Sequence, residues 1–181
     1  MRNETVDPRI EKILFSQEQL EKRIKELSEW VNQTYKDSSN LVVVGLLKGC
    51  LPFYAQLIKN VNVDLITDFM IASSYDGGNK SSGNVKIILD LVTNIEGKDV
   101  LIVEDIVDTG RTISKTVSIL KSRNPKTLKV LTLLNKPSNR IVSFEPDNYG
   151  FLVEKDDFVV GFGFDDEEKL RQLPYIGTIK E

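Results

Sequence analysis

Residues 41–46, LVVVGL, are apolar without interruption and include three consecutive valines. An amphipathic helix or a half-solvated strand would place polar residues at a regular interval, and this run has none. So short a branched stretch suits a strand covered on both faces, the central position of a parallel sheet. LKG at 47–49 then carries the chain into a loop, and DVLIVED at 99–105 and LKVLTLLNK at 128–136 read as two further strands.

The segments between these runs complete an alternating pattern. Residues 6–15 read as a short strand or extended lead, and Ser16 as the N-cap of a helix through about Tyr35, with Leu20, Ile24, Leu27 and Val31 at helical spacing. Trp30 beside that stripe reads as a packing residue. Residues 51–60 predict a helix that tolerates Pro52 in its first turn. VDLITDFMIAS at 63–73 and VKIILDL at 85–91 predict a long hairpin, with Tyr75 near its tip and the glycine-rich SSYDGGNKSSG at 73–83 as a mobile loop. Thr112 to Lys121 reads as a helix with Ile113, Val117 and Leu120 inward. DFVVGFGFD at 157–165 reads as a strand and DDEEKLRQLP at 165–174 as a short helical or turning tail. Strands alternating with helices predict an α/β fold with a mostly parallel central sheet flanked by helices. The 181 residues suit one domain.

Composition removes several kinds of chemistry. There is no histidine, so triads and zinc sites built on histidine are excluded. The single Cys50 excludes an internal disulfide framework and fits a reducing, cytoplasmic setting. A net charge of −3 argues against a broad nucleic-acid footprint. No apolar run approaches the roughly 20 residues of a membrane span, and the N-terminus is too polar for a signal peptide. Acid–base work therefore falls to carboxylates, lysines, tyrosines or the substrate.

VEDIVDTGRT at 103–112 is the densest cluster of such groups. Successive side chains of a strand point to opposite faces, so Glu104 and Asp105 are expected to diverge rather than form one two-carboxylate clamp. Asp108, Thr109, Gly110, Arg111 and Thr112 form the turn before a helix. Gly110 permits a tight or left-handed turn, and free N–H groups, two threonine hydroxyls and the positive end of the helix suit a phosphate. The acids can then serve sugar hydroxyls and magnesium, a combination that a sugar phosphate ligand requires. A Walker loop, G-x-G-x-x-G and D-x-D-x-T are all missing.

VLIVEDIVDTGRT at 100–112 resembles the diphosphoribosyl-phosphate signature of type I phosphoribosyltransferases. GLLKG at 45–49, SSY at 73–75, LLNKPSNR at 133–140 and DFVVGFGFDDEEKLRQLPYIG at 157–177 resemble the hypoxanthine-guanine branch of that family. The resemblance implies magnesium-dependent transfer of a 5-phosphoribosyl group from its 1-diphosphate to N9 of hypoxanthine or guanine, releasing pyrophosphate. It also implies a hood over the base pocket, built from about 1–15 and 157–181, and a homodimer or homotetramer.

Residue roles follow from the same likeness. Asp108 matches the candidate acid–base carboxylate, Glu104 and Asp105 the ribose and magnesium contacts, and residues 108–112 the 5′-phosphate loop. Leu47, Lys48, Gly49 and Arg171 match the pyrophosphate site, the family often having a cis peptide between the first two. Lys136 matches the donor to purine O6, Phe158 the stacking aromatic, Val159 a backbone contact, and Asp165 a base-edge and second-magnesium ligand. Ser74 and Tyr75 match the closing loop, and Arg140 a phosphate or loop-supporting residue. Asp166 departs from the pattern where an aromatic is usual. Asp157 lies at a position that varies between acidic and basic types, and Arg111 where lysine is also common. Two alternatives stay open at this level: a xanthine-preferring transferase and an RNA-binding pyrimidine regulator on the same fold.

Overall fold

The computed structural model describes residues 6–74, 85–154 and 157–180. Its elements run in the order β1 (Ile10–Phe15), α1 (Gln17–Thr34), β2 (Leu41–Leu46), α2 (Leu51–Ile58), β3 (Leu65–Ser74), β4 (Val85–Leu89), β5 (Asp99–Val107), α3 (Arg111–Lys121), β6 (Thr127–Asn135), β7 (Asn148–Leu152), β8 (Val159–Val160) and β9 (Ile176–Ile179). A single 3-10 turn, Pro137–Asn139, follows β6.

The main sheet has six strands in the order β4-β3-β2-β5-β6-β7. β3, β2, β5, β6 and β7 are parallel, and only β4 runs against its neighbour. β2 is buried along its whole length, as its unbroken apolar sequence requires. Its alternate residues feed two cores. Leu41 and Val43 join Leu101, Val103, Leu131 and the inner faces of α1 and α2. Val42, Val44 and Leu46 join Val100, Ile102 and the Ile113, Val117 and Leu120 stripe of α3 on the other side.

Helix α1 begins where its sequence places it. Ser16 Oγ accepts from Gln19 N–H at 3.3 Å, and Gln19 Oε1 accepts from Ser16 N–H at 2.8 Å. This reciprocal capping satisfies two donors that the first turn would otherwise leave open. Leu20, Ile24, Leu27 and Val31 are all buried, and Trp30 packs partly against the same core.

The predicted hairpin is present as β3 paired with β4, Ser74 standing opposite Val85; Tyr75 lies outside the described residues. β7 is a sixth strand that the sequence pattern did not indicate. The predicted strand over 157–165 shortens to Val159–Val160. Gly161, Phe162 and Gly163 have φ of +91°, +49° and +103°, and strand pairing cannot continue through left-handed backbone. Of the two forms expected for the tail over 165–174, helical or turning, the structure has the turning one, with Glu167, Glu168 and Leu170 at positive φ.

A second sheet, in the order β1-β9-β8, combines the N-terminal and C-terminal segments. It has its own apolar cluster of Ile10, Val160, Leu170 and Tyr175. Tyr175 Oη accepts from Asp7 N–H at 2.9 Å, which ties the two chain ends together.

Candidate active site

The C-terminal ends of β2, β5 and β6 lie side by side in the sheet. Crevices at this edge of an open α/β sheet are where ligands bind. A cavity of about 270 Å³ opens here, lined by residues 104–110, Thr112 and Ile113. Most of that lining is the acidic turn singled out in the sequence. Gly110 takes φ +79° and directly precedes α3, so the turn ends on the positive end of an 11-residue helix. Arg111 is exposed and is not part of the lining.

Glu104 and Asp105 do not diverge as strand alternation predicts. Asp105 Oδ1 accepts from the N–H of Ile106 at 2.7 Å, so its side chain folds back along its own backbone. The two carboxyl groups lie close enough to influence each other's protonation. Burial and then the charge of Asp105 hold Glu104 well above the usual carboxylate range. Burial also raises Asp105, against the opposing influence of Glu104, the hydrogen bond from Ile106 and the charge of Arg171. Cys50 lies close enough that burial and then these two acids push its thiol far up, so it is no nucleophile. Asp108 Oδ1 is buried and has no hydrogen-bond partner among the described residues. A buried unpaired acceptor is costly unless a ligand satisfies it.

The loop after β2 reaches this pair directly. A Cβ on Gly49 would fall 1.6 Å from Asp105 Oδ2, and one on Gly163 would fall 2.0 Å from the carbonyl oxygen of Gly49. Only glycine lets these three segments stack. The Leu47–Lys48 peptide is cis. The Lys48 ammonium extends to Glu168, 2.8 Å away. Arg171 bonds Asp165 at 2.9 Å and Glu168 at 3.3 Å, and donates to the carbonyl of Gly163 at 2.7 Å. Its Nε is buried with no partner among the described residues. The expected pyrophosphate cations are therefore brought together, around a carboxylate that the sequence did not single out. Glu168 carries no recognisable signal because its left-handed backbone and its partner 120 residues away are both invisible locally.

Lys136 stands just past the end of β6 and is only 6% exposed. Its ammonium donates to the carbonyl of Asp157 at 3.3 Å, which makes the side chain at 157 irrelevant to that contact. Phe158, the next residue, is 62% exposed, so one large ring stands clear of the core. Val159 opens β8. Asp165 Oδ2 accepts from Glu168 N–H at 2.9 Å. Asp166, where an aromatic is usual, pairs by backbone with Lys169. Among the described residues no three acidic, histidine or cysteine side chains form a ready-made metal cage. Glu104, Asp105 and Asp165 are thus not one preformed ligand set.

A model of the phosphoribosyl transferase domain matches residues 12–169. The chain belongs to the phosphoribosyl transferase family. Phosphoribosyltransferases resemble it along its whole length. It is 48% identical over 180 residues to the hypoxanthine-guanine phosphoribosyltransferase of Lactococcus lactis, covering 99% of this chain and 97% of that protein. It is 48% identical over 171 residues to the Bacillus subtilis protein of the same name, covering 94% of each. A crystal structure of a Staphylococcus aureus hypoxanthine phosphoribosyltransferase superposes with a TM-score of 0.93 at 42% identity, covering 99% of this chain and 97% of that one. No helix among the described residues is long and apolar enough to cross a membrane.

Proposed function

We propose that the chain transfers a 5-phosphoribosyl group from 5-phosphoribosyl 1-diphosphate to N9 of hypoxanthine or guanine, the chemistry of purine salvage in the cytoplasm. The observation that carries this is Asp108: a buried carboxylate oxygen with no hydrogen-bond partner among the described residues, in a cavity that ends on a glycine turn and a helix N-terminus. The C1′–O bond breaks with its electron pair leaving on pyrophosphate, and a C1′–N9 bond forms. The purine loses one ring proton, which Asp108 takes or shares.

The remaining roles extend the same reading. Amides of residues 108–112 and the threonine hydroxyls hold the 5′-phosphate. Glu104 and Asp105 face the ribose hydroxyls. Lys48 and Arg171 receive the departing charge of pyrophosphate once Glu168 yields them. Lys136 donates to a purine 6-oxo group, and Phe158 offers its ring to the base. Adenine would leave the buried ammonium facing an amino group, a costly mismatch. The small β1-β9-β8 sheet serves as the hood over the base.

Magnesium fits this donor set. The crowded, protonation-prone pair Glu104 and Asp105 is the kind of site a divalent cation neutralises, and Asp165 lies beside Arg171 on the pyrophosphate side. When bound with the donor, magnesium would supply Lewis-acid stabilisation of the leaving diphosphate. Assembly as a homodimer or homotetramer belongs to the same proposal.

A panel of hypoxanthine, guanine, xanthine, adenine and uracil, assayed with the diphosphate donor and magnesium, tests the reading. Hypoxanthine and guanine should react while adenine and uracil stay inert. Turnover of xanthine above the other two would move the assignment to a xanthine transferase, and uracil turnover alone would overturn it.

A further inference from the structure

Beyond the 3-10 turn, residues 140–142 run along the outer side of the acidic turn and collect its carbonyl groups. Val107 O accepts from Lys136 N–H at 3.0 Å and from Arg140 Nη1 at 2.8 Å. Asp108 O accepts from the same Nη1. Thr109 O accepts from Ile141 N–H at 3.0 Å and Val142 N–H at 3.3 Å. The other arm of the guanidinium is anchored on Asn135 Oδ1, at the end of β6. A Cβ on Gly110 would meet Arg140 Cδ at 2.9 Å, so this strap lies as close to the turn as a backbone without side chain allows.

A peptide unit is planar and trans, so the C=O of one residue and the N–H of the next point in opposite directions. Drawing the carbonyls of residues 107, 108 and 109 outward therefore turns the N–H groups of Asp108, Thr109 and Gly110 the other way. None of those three donates to another backbone group among the described residues. The cavity is lined by these three residues and not by Arg140, which holds their carbonyl side. If one peptide turned over, a donor facing an anion would be replaced by a repelling carbonyl oxygen.

We propose that Arg140 is a positioning residue for this site: its guanidinium, braced on Asn135, holds two consecutive carbonyls away from the cavity. That makes the turn an anion-binding nest and sets the backbone from which Asp108 projects. Arginine is required because its planar fork spans the Val107 and Asp108 carbonyls and Asn135 together. A lysine ammonium carries the same charge on a single point and cannot span them.

The inference rests on reading residues 108–112 as the 5′-phosphate site, and the test separates the two. Calorimetry with ribose 5-phosphate and, separately, magnesium pyrophosphate would be run on the full chain, on Arg140→Lys and on Asn135→Ala, alongside thermal unfolding. Arg140→Lys should weaken ribose 5-phosphate on the order of tenfold or more while pyrophosphate stays within about twofold, since the lost charged hydrogen bonds act on one loop only. Asn135→Ala should show the same selectivity with a smaller loss. Unchanged ribose 5-phosphate binding in Arg140→Lys, or equal losses for both ligands, would overturn the role given to Arg140. If Arg140→Lys does not fold, Asn135→Ala decides on the same criterion. Failure of the unsubstituted chain to bind ribose 5-phosphate would instead break the site assignment itself.

Discussion

Strand β5 carries carboxylates at both ends, in opposite states. At its start, Asp99 is saturated: Ser38 Oγ donates at 2.7 Å, Thr127 Oγ1 at 2.8 Å and Lys126 at 3.3 Å. Burial works against its charge, but those hydrogen bonds together hold its pKa below the ordinary value. At its end, Glu104 and Asp105 crowd each other, and Asp108 Oδ1 has no partner among the described residues. The same residue type is satisfied at one end of the strand, where the protein completes its hydrogen bonds, and left unsatisfied at the other. Unmet capacity at the cavity is what a ligand can satisfy.

Substitution should expose that asymmetry. The largest effect belongs to Asp108→Asn, which should slow the chemical step by roughly 10²–10⁴-fold in single-turnover assays while donor affinity barely moves. Equal single-turnover rates would erase the distinction between the two ends. Asp99→Ala should do the reverse, removing about 2 kcal/mol of stability in denaturant titration while leaving activity per folded molecule intact.

The two ends should also tilt stability in opposite directions with pH. Asp99 has a folded pKa below its unfolded one, so its contribution is present above the unfolded value and is lost as pH falls through the folded value. Glu104 has a folded pKa above its unfolded one, so the native state binds the proton more tightly. Its contribution is therefore full in acid and is lost as pH rises through the folded value. In ligand-free, chelator-treated protein, Glu104→Gln should flatten this loss and be the more stable form above that window; a parallel pH profile would show that the pair is not strained.

The smallest effect concerns the exposed ion pair. Glu168→Gln frees Lys48 and Arg171 and should tighten pyrophosphate binding by about threefold, less so at high salt, as suits solvent-exposed charges. Weaker binding would mean that Glu168 organises the two cations instead of occupying them.

What was legible in the sequence is what repeats locally. The buried runs at 41–46, 99–105 and 128–136 and the capped stripe of α1 depend on burial pattern and near-neighbour geometry, and the structure has them in place. The acidic turn was legible because a strand end, a glycine and a helix start are consecutive. β7, NYGFL, was not: an edge strand with mixed polarity satisfies no clear period. The segment 157–165 misled because its apolar residues promise a strand, while left-handed backbone at Gly161, Phe162 and Gly163 turns the chain after Val160. Nothing in a side chain's polarity announces that conformation.

By itself, the amino-acid order determined the alternation of strands and helices, the central place of β2 and the anion-ready turn before α3, because each depends on residues within a turn or two of one another. Only the tertiary structure decided that Asp105 bends under Gly49, that Gly163 stacks on the same loop, that Glu168 caps Lys48 and that Arg140 draws the turn's carbonyls outward. Those arrangements join segments far apart in the chain, and their geometry follows from how closely backbones can approach once the sheet has formed.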